Sequence, residues 1–197
     1  MKSKANIQSV FSTDAATHLR TYVIAEIGIN HEGNVDQCAE MIKAFARSGA
    51  DAIKLQTVDP DKAYSKNTDS HKVFSQSSLS QVETANMFNL ARQLGIEPFT
   101  TSGDLSTLEW VDRLHPVAHK ISSGLLSCIP VVEATCALKR PVIMSTGMSD
   151  HKTIFKATAI ARESAAKAAL MQCTSEYPCP IEKLELSAIR HIEKKYK

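Results

Sequence analysis

Two lysines lie inside short apolar segments, where a charged side chain is uncommon. Lys54 stands in Ala-Ile-Lys-Leu and Lys120 in Ala-His-Lys-Ile. An ammonium group that is buried without a partner is costly, so each lysine needs a carboxylate or an anionic ligand. Because the ammonium group is a compact cation suited to phosphate or carboxylate, the two lysines predict an anion site. Glu26, in another apolar segment, could instead form a purely structural salt bridge with Lys54.

Hydroxyl and amide side chains follow similar apolar segments elsewhere in the chain. Their hydroxyls, with the backbone amides of Ser123-Gly124 and Thr146-Gly147, could complete an anion cradle. For any single serine or threonine, the simpler interpretation is that its hydroxyl contacts solvent at the end of the segment and binds no ligand. Polar residues at such positions include Asn30, Gln56, Thr101, Ser123, Ser145, Ser175 and Tyr177.

The histidines and cysteines do not predict a metal site or a reactive thiol. The seven histidines form no H-E-x-x-H array, and His31 is more simply interpreted as a polar surface group than as a ligand. The five cysteines are odd in number and contain no C-x-x-C pair, which indicates free thiols in a reducing cytosol. No histidine is clearly paired with Cys173, so a catalytic thiol is not expected.

Composition excludes several classes of protein. The 197 residues carry a net charge of +2 without a basic stripe, which gives no electrostatic case for nucleic-acid binding. No apolar run approaches the roughly 18 residues of a membrane span, and the first twenty residues lack the apolar core of a secretory signal. A cytoplasmic globular protein is therefore expected.

Six apolar, β-branched segments alternate with amphipathic stretches from Tyr22 onward. Strands are predicted to begin near residues 22, 51, 96, 117, 141 and 168, and helices are predicted over 35–48, 80–94, 104–114, 130–138, 150–165 and 181–195. Strands separated by helices must be parallel. The spacing predicts an α/β fold, a (β/α)8 barrel truncated to about six β/α units, since a complete barrel takes about 250 residues. A six-stranded doubly wound sheet is the alternative, but no G-x-G-x-x-G motif follows the first strand.

The element pattern places the candidate residues on one rim. In a parallel barrel the active site lies at the carboxyl ends of the strands, where all of these polar residues are predicted to stand. Residues 1–21 are predicted to be an N-terminal extension and 22–197 the barrel domain. Within the extension, Ile7, Val10 and Phe11 could form a short element, and a flexible tail is an equal alternative. The polar segment 58–79 is predicted to be a long functional or mobile loop.

Five motifs in order resemble the sialic acid synthase family, which includes the N-acetylneuraminate, legionaminate and pseudaminate synthases. The motifs do not separate these three activities. The matching motifs are Ile24-Ala-Glu-Ile-Gly-Ile-Asn-His-Glu-Gly, Gly49-Ala-Asp-Ala-Ile-Lys-Leu-Gln-Thr, Lys120-Ile-Ser-Ser-Gly, Pro141-Val-Ile-Met-Ser-Thr-Gly-Met and Gln172-Cys-Thr-Ser-Glu-Tyr-Pro.

The resemblance implies a barrel enzyme that condenses phosphoenolpyruvate with N-acetylmannosamine or a related N-acetylated hexose. It implies a divalent metal, Mn or Mg, and a homodimer in the complete family enzyme. By motif position, Glu26, Lys54 and Lys120 would be catalytic. Phosphoenolpyruvate would be held by Lys54, Thr101, Lys120, Ser123 and Ser145. Gln56 would line the reaction centre with Glu26, Asn30 would belong to the substrate site, and Ser175 and Tyr177 would approach the sugar.

The sequence departs from the family pattern in three places. Leu125 stands where the family has a glutamate, and Thr100-Thr-Ser-Gly-Asp stands where it has Ser-Thr-Pro-Phe-Asp. The two metal-binding histidines of the family, and its antifreeze-like domain, belong to later segments that this sequence lacks. The chain alone is therefore expected to be poorly active or inactive as a synthase. A non-catalytic relative that binds small anions, and a Schiff-base lyase that uses Lys54 or Lys120, remain alternatives.

Overall fold

A computed structural model describes residues 5–12 and 21–196 of the protein. The chain is divided into two compact units between Ala118 and His119. In both units the strands pair in parallel and follow chain order, which confirms the predicted succession of β/α units.

The first unit contains three strands and six helices among the described residues. In chain order they are α1 (Ile7–Val10), β1 (Ile24–Gly28), α2 (Val35–Ser48), β2 (Ala52–Thr57), α3 (Pro60–Ala63), α4 (Asp69–Ser77), α5 (Gln81–Gln93), β3 (Glu97–Ser102) and α6 (Leu105–Asp112).

The second unit contains three strands and three helices among the residues described. They are β4 (His119–Ile121), α7 (Ile129–Ala137), β5 (Val142–Ser145), α8 (His151–Glu163), β6 (Ala168–Met171) and α9 (Ser187–Tyr196). Short 3₁₀ turns cover Ser123–Leu125 and Ile181–Lys183.

The helices begin and end where local chemistry satisfies their terminal backbone groups. The Asn34 side chain accepts from the Gln37 N–H at the start of α2, and Gly49 ends that helix at φ 85°. Ser80 and Glu83 form a reciprocal capping box at the start of α5. Such caps are readable in the sequence, which is why the predicted bounds of α2 match the structure.

Strand alternation separates the core face from the polar face in the first unit. Ile53 and Leu55 are buried in a cluster that includes Ile42 of α2 and Phe88 of α5. Because neighbouring residues of a strand point to opposite faces, Lys54 must point away from these helices. Glu26 is its register partner on β1, so both side chains leave the sheet on the same side.

The second unit repeats this separation. Ile121 and Met144 are buried in a cluster with Val132 of α7 and Ile154 of α8. Their strand neighbours therefore face away from the helices. Lys120 and Ser145 are those neighbours.

The described part of the N-terminal segment is attached to the first unit by a carboxylate. Glu97, the first residue of β3, accepts hydrogen bonds at Oε2 from the Ile7 backbone N–H at 2.9 Å and from the Tyr22 hydroxyl at 2.6 Å. The short helix α1 contains Ile7 and Val10, which favours the first of the two alternatives that the sequence left open for these residues. The prediction of an extension over residues 1–21 falls partly outside the described residues.

Segment 58–79 differs from the prediction of a loop. It forms α3 and α4, whose first turns are capped by Asp59 and Thr68. The rings of Tyr64 and Phe74 stack with centroids 5.1 Å apart and join the two helices. The last helix is also shorter than predicted, since α9 begins only at Ser187. No helix in the described ranges is long and apolar enough to cross a membrane.

Candidate anion-binding sites

Lys54 is the centre of a polar cluster at the carboxyl end of β2. Its side chain is only 11% exposed, and its Nζ lies 2.9 Å from a carboxylate oxygen of Glu26. The same Nζ donates to Thr101 Oγ1 at 2.9 Å and to the Leu55 carbonyl at 3.3 Å. The structure therefore brings together Glu26, Lys54 and Thr101, three of the residues that the sequence predicted for the site.

The Glu26 carboxylate occupies space that a glycine leaves open. Its side chain is 52% exposed. A Cβ built on Gly28 would lie 3.2 Å from Glu26 Oε1, and Gly28 has a φ of 58°. A side chain at residue 28 would crowd the carboxylate and strain the backbone. The register of β1 against β2 also shifts between Glu26 and Gly28, and an irregularity of this kind changes the direction of the chain at the end of β1.

Gln56 and a threonine pair lie near this cluster. Gln56 is partly buried and is the register partner of Thr101, so both side chains leave the sheet on the Lys54 side. Thr57 and Thr100 share a hydrogen bond of 2.8 Å between their buried hydroxyls. That pair ties β2 to β3 on the opposite face, which fixes the strand that carries Thr101.

Asn30 is used by the turn that follows β1. Its backbone N–H and its side-chain Nδ2 both donate to the Ile27 carbonyl, at 3.0 and 2.9 Å. Its own carbonyl accepts from Gln37 Nε2 at 3.2 Å. These bonds stabilise the turn and do not exclude a ligand role for Asn30, which stays a prediction.

His31 is buried, so the interpretation of this residue as a surface group is wrong. It is 1% exposed, and its Nδ1 accepts from the Gly33 backbone N–H at 3.1 Å. Burial lowers the pKa of the imidazole. A neutral ring that accepts at Nδ1 carries its proton on Nε2. The turn packs tightly against the end of α4, because a Cβ on Gly33 would lie 2.5 Å from the Gln76 carbonyl oxygen.

Lys120 forms a second polar cluster, at the carboxyl end of β4. Its Nζ donates to the Ser145 hydroxyl and, at 2.8 Å, to the Ile121 carbonyl. Ser145 is the last residue of β5 and is buried. The structure thus places two predicted residues, Lys120 and Ser145, in direct contact within the second unit.

The turns after β4, β5 and β6 approach one another at Gly147. Its backbone N–H donates to Ser123 Oγ at 3.2 Å. A Cβ at this position would lie 2.6 Å from the Cys173 carbonyl oxygen and 2.8 Å from Ser175 Oγ. The predicted residues Ser123 and Ser175 therefore flank one glycine, whose lack of a side chain permits the close approach.

The side chains of Tyr177 and Leu125, also in the second unit, add no polar contact to the turns around Gly147 among the residues that the structure describes. The Tyr177 side chain is 96% exposed, so the structure leaves its predicted role in sugar binding open. Leu125, which stands in place of a family glutamate, is partly buried against the apolar cluster of this unit. It adds to the core and contributes no polar atom.

Segment 58–79 is tied to the start of α6 by Asp104. The carboxylate of Asp104 accepts from the Asp59 backbone N–H at 3.2 Å and from Ser106 Oγ at 2.6 Å. It also accepts from the backbone N–H and the hydroxyl of Thr107. A Cβ on Gly103 would lie 2.0 Å from a methyl carbon of Val58, so the segment leaves β2 in direct contact with the end of β3.

The resemblance implies a divalent metal, Mn or Mg. Within residues 5–12 and 21–196, no group of three or more His, Cys, Asp or Glu side chains is arranged to hold a metal ion. A closed site made by protein ligands alone is therefore absent from these residues, and the metal stays a prediction. All five cysteines are free thiols in the structure.

The sequence was compared with known proteins. Residues 41–197 match the NeuB family. An uncharacterized protein of Methanocaldococcus jannaschii is 34% identical over 174 residues, which are 88% of this chain and 52% of that protein. Pseudaminic acid synthase of Campylobacter jejuni is 28% identical over 202 residues, covering 94% of this chain and 57% of the synthase. The chain thus spans about half the length of the curated relatives it matches.

A solved structure supports the fold class. The N-acetylneuraminic acid (sialic acid) synthetase of Leptospira borgpetersenii, crystallised in complex with citrate, matches with a TM-score of 0.86 at 26% identity. The match covers 89% of this chain and 61% of that one. The predicted α/β class, with six β/α units of the (β/α)8 type, is confirmed.

Proposed function

The chain belongs to the NeuB family, and on that premise we propose that it serves the condensation of phosphoenolpyruvate with N-acetylmannosamine or a related N-acetylated hexose. The products would be a nonulosonic acid and inorganic phosphate. The observation that carries the proposal is the buried Lys54 ammonium group, held beside Thr101 at the carboxyl end of β2.

The proposed reaction forms one carbon–carbon bond and one carbon–oxygen bond, the latter from water, and breaks the bond between C2 and the phosphate oxygen. C3 of phosphoenolpyruvate attacks the aldehyde carbon of the sugar, whose oxygen takes up a proton. Water adds at C2 and loses a proton to leave a hydroxyl there. This hydroxyl becomes the ketone of the product as inorganic phosphate departs with the C2–O electron pair and takes up the hydroxyl proton. The part of this chain is to bind and orient the anion, which lowers the entropic barrier to the encounter. Because no group of three or more metal-ligating side chains occurs among the described residues, no step is assigned to a metal.

The first unit would bind one anionic group through Lys54 and Thr101. A lysine ammonium and a threonine hydroxyl both donate to an oxyanion, and charge-assisted bonds of this kind contribute about 1.5–3 kcal/mol each. The citrate in the Leptospira synthetase structure is an anion bound by a relative, which is consistent with a site of this charge.

The second unit would bind an anionic group through Lys120. The Ser145 hydroxyl accepts a hydrogen bond from its ammonium group, and the backbone N–H of Gly147 donates to Ser123 Oγ in the adjoining turn. Ammonium, hydroxyl and backbone N–H groups together suit phosphate or carboxylate. That the groups of both units bind one phosphoenolpyruvate molecule stays a prediction, and so does the approach of Ser175 and Tyr177 to the sugar.

A Schiff-base lyase is less well supported by the geometry. The Lys54 ammonium donates hydrogen bonds to Thr101 Oγ1 and to the Leu55 carbonyl, and it is paired with the Glu26 carboxylate at 2.9 Å, which favours its charged form. A Schiff base requires a free lone pair on the nitrogen of the lysine. Incubation with pyruvate and borohydride should therefore leave the mass of the protein unchanged. A covalent adduct on Lys54 would favour the lyase.

The proposed function is tested by phosphoenolpyruvate binding. Titration calorimetry is expected to show that Lys54→Met weakens binding by about tenfold to one hundredfold, the loss of one charge-assisted contact. Lys43→Met is the matched control, because Lys43 is a half-exposed lysine that pairs with Glu40 on α2. Equal affinity of the wild type and Lys54→Met would overturn the assignment of Lys54. Phosphate release in the presence of N-acetylmannosamine then tests turnover.

A further inference from the structure

The Lys54 ammonium group is already engaged by three protein groups. It donates hydrogen bonds to Thr101 Oγ1 at 2.9 Å and to the Leu55 carbonyl at 3.3 Å. Its charge is paired with the Glu26 carboxylate, whose Oε2 lies 2.9 Å from Nζ. An anion that binds Lys54 therefore competes with these acceptors for the ammonium group.

Of the three acceptors, Glu26 is the one that can leave. The Leu55 carbonyl belongs to the main chain of β2, and Thr101 is 3% exposed within β3. The Glu26 side chain is 52% exposed, whereas that of Lys54 is only 11% exposed. A half-exposed carboxylate regains water when it moves away, so its release costs far less than the release of a buried group.

We infer that the Glu26 carboxylate is a placeholder on Lys54, which the phosphate or carboxylate group of the incoming ligand displaces. The inference rests on the proposed function, because it concerns the same lysine and the same class of ligand. Thr101 keeps its position in this exchange. Since Thr101 Oγ1 accepts from Lys54, its own O–H bond points elsewhere and is available to donate to the bound anion.

The exchange has a chemical consequence for Glu26. In the free protein, the ammonium and carboxylate charges neutralise each other at 2.9 Å. Once an external anion occupies Lys54, the Glu26 carboxylate is released beside the ligand, and the same contact no longer stabilises its charge.

A permanently structural Glu26–Lys54 bridge makes the opposite prediction for anion affinity. If Glu26 only orients Lys54, its removal should weaken anion binding. If Glu26 competes with the ligand, neutralising it should strengthen binding. Glu26→Gln keeps the shape of the side chain and one acceptor oxygen but removes the charge. Glu40→Gln is the matched control, because it removes the same charge from an exposed ion pair with Lys43.

The experiment is titration calorimetry of the full chain with phosphoenolpyruvate and, separately, with inorganic phosphate. We expect Glu26→Gln to bind both anions roughly twofold to fivefold more tightly than the wild type, the effect of removing a partly exposed competing charge. Glu40→Gln should bind as the wild type does. An unchanged or weaker affinity in Glu26→Gln, with the fold intact by circular dichroism, would overturn the placeholder role.

A second measurement needs no substitution. In protein labelled with ¹³C at glutamate Cδ, saturation with phosphoenolpyruvate should shift the Glu26 carboxylate resonance, because this group loses its contact with Lys54. An unmoved Glu26 resonance at saturation would also overturn the inference. Failure of the proposed function would give a different result from failure of the placeholder role. If only the proposed function is wrong, phosphoenolpyruvate will bind no better than inorganic phosphate, while Glu26→Gln will still bind inorganic phosphate more tightly than the wild type.

Discussion

The backbone N–H of Gly147 donates a hydrogen bond of 3.2 Å to the hydroxyl oxygen of Ser123, which joins the turn after β5 to the turn after β4. The bond depends on a close approach that leaves no room at Gly147 for a side chain. Both residues were predicted members of an anion cradle. Gly147 therefore takes part both in the close packing of the turns and in the predicted anion site.

Gly147→Ala is expected to disrupt this junction. The new Cβ would lie 2.6 Å from the Cys173 carbonyl oxygen, so the main chain must shift. We expect a loss of about 1–3 kcal/mol in the free energy of unfolding, as for other overpacked sites, together with weaker binding of phosphoenolpyruvate. Urea denaturation and calorimetry measure the two effects. Gly124→Ala is the control, because the nearest neighbour of its Cβ would be Met148 Sδ at 3.8 Å. Equal stability of the two variants would contradict the prediction.

Lys120→Met should remove the anion site of the second unit. The substitution keeps the length and apolar stem of the side chain but deletes the donor to Ser145. Binding of phosphoenolpyruvate is expected to weaken by about tenfold or more, the contribution of one charge-assisted contact. Titration calorimetry measures the change, with the exposed Lys156→Met on α8 as the control. Wild-type affinity in Lys120→Met would remove Lys120 from the anion site.

Asp104→Asn should destabilise the attachment of segment 58–79 and reduce its sensitivity to acid. Burial alone would raise the pKa of Asp104, but hydrogen bonds from Ser106, Thr107 and Asp59 outweigh it and hold the pKa below its usual range. This carboxylate therefore contributes stability above its pKa in the unfolded chain, about 3.9, and that contribution is lost as the pH falls through the lower pKa of the folded state.

An asparagine keeps one acceptor for the α6 cap and loses the charge of Asp104. We expect a loss of about 1–2 kcal/mol at neutral pH, the contribution of hydrogen bonds to a charged acceptor, and a smaller stability difference between pH 7 and pH 3 than in the wild type. Urea denaturation at the two pH values measures both quantities. Asp150→Asn, at the exposed cap of α8, should change stability less. The same acid sensitivity in Asp104→Asn and the wild type would refute the role of this charge.

The buried imidazole of His31 should make the protein less stable in mild acid. Because burial lowers its pKa in the folded state, the unfolded chain binds the proton more tightly. Stability is complete above the unfolded pKa of about 6.5 and falls as the pH drops below that value toward the lower folded pKa. His31→Asn, which retains an acceptor for the Gly33 N–H, should show a smaller loss of stability between pH 7.5 and pH 5.5.

Thermal or urea unfolding at these two pH values checks the His31 prediction. His115→Asn is a suitable control, because His115 is exposed and its φ of 53° is a conformation that asparagine tolerates. Nitrogen NMR of the imidazole adds an independent reading, with the proton expected on Nε2. A His31 ring that carries protons on both nitrogens in the folded protein at neutral pH would contradict the assignment.

The strands and most helices could be predicted because their signals are local. The bounds of α2 follow from Asn34 and Gly49, which cap and end it. Segment 58–79 was missed because α3 has four residues and α4 is largely polar, so neither presents a strong apolar periodicity. A usable signal was present in Asp59-Pro60, an N-cap residue followed by a proline that favours the first helical turn.

The candidate site could be predicted only in part. A lysine inside an apolar strand indicates a buried cation that needs a partner, and Glu26 was a candidate from the sequence, but whether the two side chains meet depends on the register of β1 against β2. Register results from packing along the whole strand and cannot be read from the two residues. The burial of His31 was missed for a similar reason, since the turn around it closes against α4, an element that was not predicted.

The attachment of the N-terminal segment makes one backbone proton a reporter of distant structure. The Ile7 N–H is bound by the Glu97 carboxylate, 90 residues further along the chain, and Ile7 is 3% exposed. Exchange of this amide with deuterium requires Glu97 to release it. The rate of that exchange therefore records how often the first turn of α1 leaves the amino end of β3, on a timescale that can be followed by mass spectrometry.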